Sequence, residues 1–417
     1  MTSLLPLAAY YALVEVFVFL AFAELFHSFS EKAGLPDIVT DLLLGVALSS
    51  VALGGVLNTL LGAPIFKTTS YVLIFADFSV ILLLFAAGLA GGFQGLRRAG
   101  WPAVGAAVAG DVLPFSVAFL LFSRVYSLDV ALLMGVAAAA TSTAVAASIV
   151  RSEKVERTPG GQFLMNAAAM DDVVALLLLS AVLTVVGGRF DVIAVTGGIV
   201  ESVIAWVVLL LASVVIIPRV LKVPRLRDTR GMPFLILFVL VAVVVSLGFS
   251  AVIGAFIAGL AVAESLVATR TREMTEMLLL IFGALFFVVT GAQFDFRTLA
   301  NLDMVGLALL LAAVAAAGKV LGVYPFARVR LGPTPAAATV ALGMVPRGEI
   351  GIIVGAIGLS LGLFDQVLFG EVLLMSLATT LVGAYLFRRL ASTLGPPPDA
   401  QGQAARMMDE LARSTPE

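Results

Sequence analysis

FLMNAAAMDDVVALLLLSAVLTVV, the stretch Phe163–Val186, decides the reading of this chain. Almost everything in it is apolar except the adjacent pair Asp171 and Asp172. At about 20 residues per crossing, the stretch is long enough to traverse a bilayer. A carboxylate near the middle of such a helix costs roughly 2.5–3.5 kcal/mol even on lenient insertion scales. Asp172 falls about ten residues into the span, roughly 15 Å at 1.5 Å per residue, which is near the midplane. Adjacent helical residues point about 100° apart, so the two carboxylates can border one cavity while facing different neighbours. One can hold a cation or a proton while the other pairs with a fixed base. A partly dehydrated carboxylate must be neutralised by one or the other, so proton and cation compete for it. The plainer alternative is an acid pair that is salt-bridged for packing alone.

Composition agrees with the stretch. The 417 residues are 61% hydrophobic and only 12% charged, with a mean hydropathy of +1.12. A water-soluble domain needs more polar surface than that, so the chain reads as an all-α polytopic membrane protein. The net charge of −2 says little about partners, and no nucleic-acid partner is expected. Cysteine is absent and His27 is the single histidine, which excludes a disulfide framework or thiolate site and argues against zinc or haem. No cofactor is expected. The first apolar run has neither a basic segment before it nor a small-residue cleavage site after it, so it is read as a retained span.

Thirteen apolar segments follow, near residues 8–28, 36–56, 71–93, 101–124, 129–150, 162–187, 192–220, 232–248, 250–267, 274–293, 303–326, 335–361 and 366–390. The eighth and ninth are divided only by Gly248, Phe249 and Ser250. With the N-terminus outside, the inner connections carry Lys32, Arg97, Arg98, Arg151, Lys154, Arg157, Arg219, Lys222, Arg225, Arg227, Arg230, Arg270, Arg272, Arg328, Arg330, Arg388 and Arg389. The outer ones hold only Lys67, Arg124, Arg189 and Arg297. The excess of Lys and Arg on cytoplasmic loops therefore sets the N-terminus outside and the C-terminus in the cytoplasm. Residues 391–417 read as a short polar cytoplasmic tail, broken from the last span at Gly395-Pro396-Pro397-Pro398.

Span five contains Thr141-Ser142-Thr143 behind a run of alanines, and span twelve contains Gly343-Met344-Val345-Pro346-Arg347-Gly348-Glu349. Each is an apolar segment with a helix-weakening insert near its centre, and the odd separation makes them cross in opposite directions. Interrupted segments at matching places in two halves point to an inverted-repeat transporter with a midplane site. The repeats are spans one to six and eight to thirteen, with two crossed broken helices.

Lys319, among Ala315-Ala316-Ala317-Gly318 and Gly322, is the expected positive partner of the aspartates, because small residues allow another helix close. Buried lysines lose their proton readily, so it is also a candidate proton carrier; snorkelling to the inner face is the alternative. Thr141, Ser142 and Thr143 offer hydroxyls and, where the helix unwinds, carbonyls for a dehydrated cation. They also suit ordinary hydrogen bonding within helices. Pro346, Arg347 and Glu349 read as support for the break: Pro removes a helix bond, and the charges can neutralise each other and the half-helix ends. Asp111, mid-span in the counterpart of the Lys319 helix, is a second partner for Lys319, a relay, or simply a hydrogen-bonded buried acid. Asp77, Glu15, Glu24, Glu201 and Glu371 are weaker candidates, and His27 reads as interfacial.

With these residues in view, the chain resembles the prokaryotic sodium/proton exchanger domain family of the cation:proton antiporter superfamily over about residues 20–390. The motifs that carry the resemblance are Gly34-Leu35-Pro36 with Asp41 to Gly45, Leu82 to Leu89 with Gly88, Thr141 to Ala144, Ala168 to Val173, Gly254 to Leu260, Phe286 to Gly291, and Gly343 to Glu349. The resemblance implies an inverted-repeat fold and a homodimer in the cell membrane. It implies a mobile ion-transport core at 101–187 and 301–390 and a dimerising scaffold at 1–100 and 192–300, with span seven as linker. Asp172 matches the ion-carrying aspartate that would take Na⁺. Asp171 matches the position that is aspartate in electrogenic and asparagine in electroneutral relatives, and Lys319 matches its partner. Together they imply electrogenic exchange of two protons per sodium ion. The chain departs from the pattern at Ala90, where many relatives carry an acid, and at Ala167, Ala168 and Ala169, where some carry a serine.

The rival readings are a potassium/proton exchanger of the same family, a sodium-coupled solute symporter, and an intramembrane aspartyl protease using Asp111 and Asp172. Neither of those two aspartates lies in a Gly-x-Gly-Asp context, which weighs against the protease. A channel would need a filter-like repeat, which the chain lacks.

Overall fold

The structure, a computed structural model, describes residues 6–33, 35–92, 100–186, 192–247, 249–333 and 335–394, without the side chains of 28–33 and 192–203. Gly34, Arg97, Arg98, Arg189, Gly248, residues 395–417 and the side chains of Lys32 and Glu201, on which sequence expectations fall, lie outside that description. Every regular element among the described residues is helical.

The first half runs α1 (Leu7–Ala33), α2 (Asp37–Leu48), α3 (Leu53–Leu61), α4 (Ser70–Gly91), α5 (Gly100–Phe122), α6 (Leu128–Ala139), α7 (Thr143–Ser152) and α8 (Pro159–Val185). α9 (Val192–Val220) and the short α10 (Pro224–Asp228) join it to the second half. That half holds α11 (Met232–Ser246), α12 (Ala251–Ala263), α13 (Ala268–Ala292), α14 (Leu302–Leu331), α15 (Pro335–Gly343), α16 (Glu349–Ser360) and α17 (Gln366–Leu390).

Side-chain caps fix several starts. Ser127 accepts from the Val130 N–H, Thr158 from Gly161, Asn301 from Asp303 and Met304, and Asp365 from Val367 and Leu368. Each satisfies N–H groups that a helix start leaves open.

Eight helices among the described residues are long and apolar enough to cross a membrane, and a ninth arises if α2 and α3, bent by 44° at their junction, form one span. The bend was not visible in the sequence, which reads as a single run near 36–56. The other expected spans correspond to α9, α11, α12 and the interrupted α15–α16. α11 and α12, with 15 and 13 residues, fall short of a bilayer's hydrocarbon thickness of about 30 Å, so length alone does not establish the count of thirteen. The expected tail also begins later than residue 391: Ala391–Leu394 form a 3₁₀ turn with Ala391 and Leu394 buried.

The helices pack mainly in two sets. One comprises α1, α2, α4, α11, α12 and α13; the other comprises α5 to α8 and α14 to α17, while α9 touches α8 on one side and α12 on the other. In the first set the closest crossings are made by reciprocal glycines. A Cβ on Gly88 of α4 would lie 2.2 Å from the Phe256 carbonyl oxygen, and one on Gly259 of α12 would lie 2.2 Å from that of Phe85. Gly45 and Gly291 do the same between α2 and α13, at 2.0 Å from the Val288 oxygen and 2.2 Å from the Leu42 oxygen. Backbones meet there with no side chain between them, as small residues permit in lipid.

Gly259→Val should therefore cost at least about 1–3 kcal/mol and lower the unfolding temperature in detergent. Gly306→Ala, where a Cβ meets open space, should not lower it. Equal stability of the two variants would contradict the close-crossing argument.

Candidate functional site

The second set of helices is organised around two breaks that meet. α6 ends at Ala139 and α7 starts at Thr143; α15 ends at Gly343 and α16 starts at Glu349. The intervening strips touch: the Ser142 N–H donates to the Pro346 carbonyl at 2.8 Å, and the Thr141 hydroxyl donates to the Met344 carbonyl at 3.0 Å. Gly348 permits the contact, since a Cβ there would sit 2.4 Å from Ser142 Oγ. Pro346 packs against Gly383 of α17, and the Thr380 hydroxyl donates to the Arg347 carbonyl.

Half-helix ends inside a membrane leave carbonyls and N–H groups without partners. Arg347, fully buried, meets the carbonyl ends. Its Nη1 donates to Ala139 O at 2.7 Å and Ala140 O at 3.0 Å, and its Nη2 to Ala315 O at 2.7 Å. Glu349 takes the opposite ends. Its carboxylate accepts from Ser142 Oγ at 3.0 Å, at the N-cap of α7, and the backbone N–H groups at the starts of α7 and α16 favour its negative charge. Cation to C-terminus and anion to N-terminus is the favourable pairing with helix dipoles. No ion pair joins Arg347 to Glu349, so of the two roles expected for them only compensation of the helix ends is realised.

The aspartates lie beside this crossing on α8. Asp171, fully buried, accepts the Thr141 backbone N–H on Oδ2 at 3.1 Å and Lys319 Nζ on Oδ1 at 2.6 Å. Lys319 also donates to Asp111 Oδ1 at 2.5 Å. Asp111 and Lys319 are themselves fully buried, which rules out snorkelling for this lysine. They meet because α5 and α14 pack face to face: a Cβ on Gly322 would lie 2.4 Å from the Ala109 carbonyl oxygen. Asp172 takes a different neighbour, as the 100° offset requires: Thr143 Oγ1 donates to its Oδ1 at 3.0 Å. It is 6% exposed, against 0% for Asp171.

A cavity of about 630 Å³ lies further along α7, lined by none of Asp111, Asp171 and Asp172. Val145, Ser148 and Ile149 of α7 and Arg388 of α17 form one wall, and His27 and Asp37 the other. Val145 is two residues beyond Thr143, so the cavity and Asp172 share the start of α7.

The structure thus brings together Asp111, Asp171, Asp172, Thr141, Ser142, Thr143, Lys319, Pro346, Arg347 and Glu349. Sequence reasoning missed Thr380 and the carbonyls of Ala139, Ala140 and Ala315, because a threonine or alanine in an apolar helix carries no distinguishing signal. The weaker candidates lie apart. Asp77 and Glu24 are exposed. Glu15 accepts from the Lys67 and Thr68 N–H groups at 3.2 and 2.9 Å, tying α1 to the loop before α4. Glu371 is buried on α17. His27 is exposed, with Nδ1 3.4 Å from Asp37 Oδ1.

Two antiparallel interrupted helices crossing beside buried acids define a membrane transporter of the inverted-repeat kind. A family model described as the sodium/hydrogen exchanger, transmembrane, matches residues 17–392; the chain belongs to that family, the one its motifs resemble. It is 28% identical to the high-affinity Na⁺/H⁺ antiporter NhaS3 of Synechocystis, over 91% of this chain and 90% of that protein. It is 26% identical to a Na⁺/H⁺ antiporter of Enterococcus hirae, over 86% and 92%, and 24% identical to the Na⁺/H⁺-K⁺ antiporter GerN of Bacillus cereus, over 88% and 93%. The fold matches the sodium proton antiporter MjNhaP1 of Methanocaldococcus jannaschii with a TM-score of 0.66 at 20% identity, over 94% of this chain and 97% of that one.

Arg347→Ala should strip three carbonyls of a charged donor, each such bond being worth about 1.5–3 kcal/mol, and sharply lower the unfolding temperature in detergent. Arg347→Lys keeps the charge but cannot span both carbonyl groups and should lie between the two. Wild-type stability in both variants would contradict the assigned role.

Proposed function

We propose that this protein exchanges Na⁺ for protons across a prokaryotic cell membrane, electrogenically, by alternating access of one midplane site. The observation that carries the reading is the contrast between Asp172, 6% exposed and bonded to the Thr143 hydroxyl at the start of α7, and its neighbour Asp171, sealed and paired with Lys319. The names of the relatives support Na⁺ as the cation.

Asp172 binds Na⁺ or a proton in turn, because its carboxylate must be neutralised in a low-dielectric site by one of them. Thr143 now donates to Asp172; its hydroxyl also has lone pairs and turns them to a cation when the proton leaves. Thr141, with its backbone N–H on Asp171 and its hydroxyl on Met344 O, fixes the second acid to the break. Lys319 holds Asp171 when no cation is bound and releases it as Asp171 is drawn toward Na⁺. Ser142, Pro346, Arg347 and Glu349 keep the half-helix ends neutral as the crossing moves. The core at 101–187 and 301–390 moves against the scaffold at 1–100 and 192–300, through which a homodimer forms. The N-terminus faces outward and the C-terminus the cytoplasm. With that orientation the cavity beside α7 opens inward, on the side of Arg388. The likeness to GerN, a Na⁺/H⁺-K⁺ antiporter, favours a second reading with K⁺ as a further substrate.

In proteoliposomes, Asp172→Asn should reduce sodium-driven proton movement to the rate of empty vesicles; normal exchange would remove the mechanism's centre. Asp171→Asn should weaken the response to imposed voltage, and an unchanged response would contradict the role given to Asp171. Competition of Na⁺, Li⁺ and K⁺ in one assay should rank Na⁺ or Li⁺ above K⁺, and the reverse order would select the K⁺ reading.

A further inference from the structure

We propose that Asp111 is a second proton-carrying residue, and that Lys319 stays an ammonium throughout the cycle, shuttling its bond between Asp111 and Asp171. The inference rests on the exchange reading above and names where the second proton sits.

Two observations carry it. The first is how unequally the two carboxyl groups around Lys319 are satisfied. Asp171 has a donor on each oxygen, Lys319 on Oδ1 and the Thr141 N–H on Oδ2. Asp111 has Lys319 on Oδ1 and no partner on the buried Oδ2. An unpartnered oxygen is costlier on a buried carboxylate than on a neutral carboxyl group, so the arrangement suits an ionised Asp171 and a protonated Asp111.

The second is the charge count of the crossing. Its acids are Asp111, Asp171, Asp172 and Glu349, and its bases are Lys319 and Arg347. In the cation-free state two further positive charges are needed for neutrality, which a largely buried cluster favours; the Na⁺-bound state is one unit negative and relies on the ion's ligands and the part-exposed Glu349 to carry it. A single proton or Na⁺ at Asp172 supplies only one. The charged groups acting on Asp111 are Lys319 on α14, Asp171 and Asp172 on α8, and Arg347 between α15 and α16. α6, also packed on α5, carries only Asp129, at its outer start.

The step balances. Without cation, Asp172 and Asp111 each hold a proton, Asp171 is ionised and Lys319 is charged. Na⁺ displaces the Asp172 proton and draws Asp171 toward itself, which frees one ammonium N–H bond. Lys319 then needs a full carboxylate from Asp111, whose proton leaves past Asp171 and Asp172 to the cavity. Two protons leave and one Na⁺ enters, so the cluster ends one unit more negative with no deprotonated lysine.

The test is the zero-flux condition in proteoliposomes, with opposed Na⁺ and pH gradients at controlled voltage. Wild type should balance at two protons per Na⁺ and the near-isosteric Asp111→Asn at one. A variant that keeps the wild-type ratio overturns the proposal. Infrared difference spectra of the detergent-solubilised protein with and without Na⁺ give a readout that needs no turnover. Wild type should lose protonated-carboxyl carbonyl absorption on adding Na⁺, and Asp111→Asn should lack part of that loss. An identical difference spectrum overturns the proposal even where the variant does not transport. Asp172→Asn separates the two levels: exchange surviving there sinks the underlying reading, whereas its loss with an unaltered ratio in Asp111→Asn sinks this inference alone.

Discussion

A lysine ammonium clasped by two carboxylates, with no water-exposed surface on any of the three, is the constraint from which the rest of the second set of helices follows. In an apolar slab a charge persists only where an opposite charge or a fixed dipole meets it. Asp111 on α5, Asp171 on α8 and Lys319 on α14 therefore bind three helices into one body, and Thr141 ties the α6–α7 break to the same cluster. Arg347 and Glu349 extend the matching to the half-helix ends, the cation on carbonyls and the anion on the Ser142 hydroxyl that caps α7. Asp172 keeps a slight exposure that Asp111 and Asp171 lack, and the hydrogen bond it accepts comes from a hydroxyl that can rotate.

This division assigns different physics to the two sets of helices. The first set meets through backbone-to-backbone glycine crossings, Gly88 with Gly259 and Gly45 with Gly291, where dispersion and close approach replace polar bonds. Such contacts are rigid and carry no charge. The second set is held by polar bonds that can be exchanged, with breaks where backbone groups are already free of their helix. The motifs that first suggested the family belong to both kinds. Gly254 to Leu260 and Phe286 to Gly291 are close-packing sequences, whereas Thr141 to Ala144 and Gly343 to Glu349 are the crossing.

Much of this was legible in the sequence because the bilayer leaves few alternatives for a charge. A twin aspartate at the centre of an apolar run, a lysine flanked by glycines and two interrupted spans in opposite directions each have one economical arrangement. What stayed illegible depends on tertiary geometry. Nothing in Val108-Ala109-Gly110-Asp111 says which helix it faces, so three roles remained for Asp111 until its contact with Lys319 was seen. Arg347 and Glu349, two residues apart, read equally well as partners of each other; only the antiparallel crossing sends them to opposite helix ends. The bend between α2 and α3 lies in a run whose hydropathy does not change, and the short α11 and α12 show why counting apolar residues overstates what span length can settle.

The measurement that bears most directly on the account is equilibrium Na⁺ binding to the purified protein across a pH series. If protons and Na⁺ take turns at the crossing, apparent affinity should fall about tenfold per pH unit for each proton displaced as the solution is acidified, and Asp172→Asn should bind no Na⁺ at that site. Affinity independent of pH, or undiminished binding without the Asp172 carboxylate, would contradict the claim that the two ions compete for one buried acid.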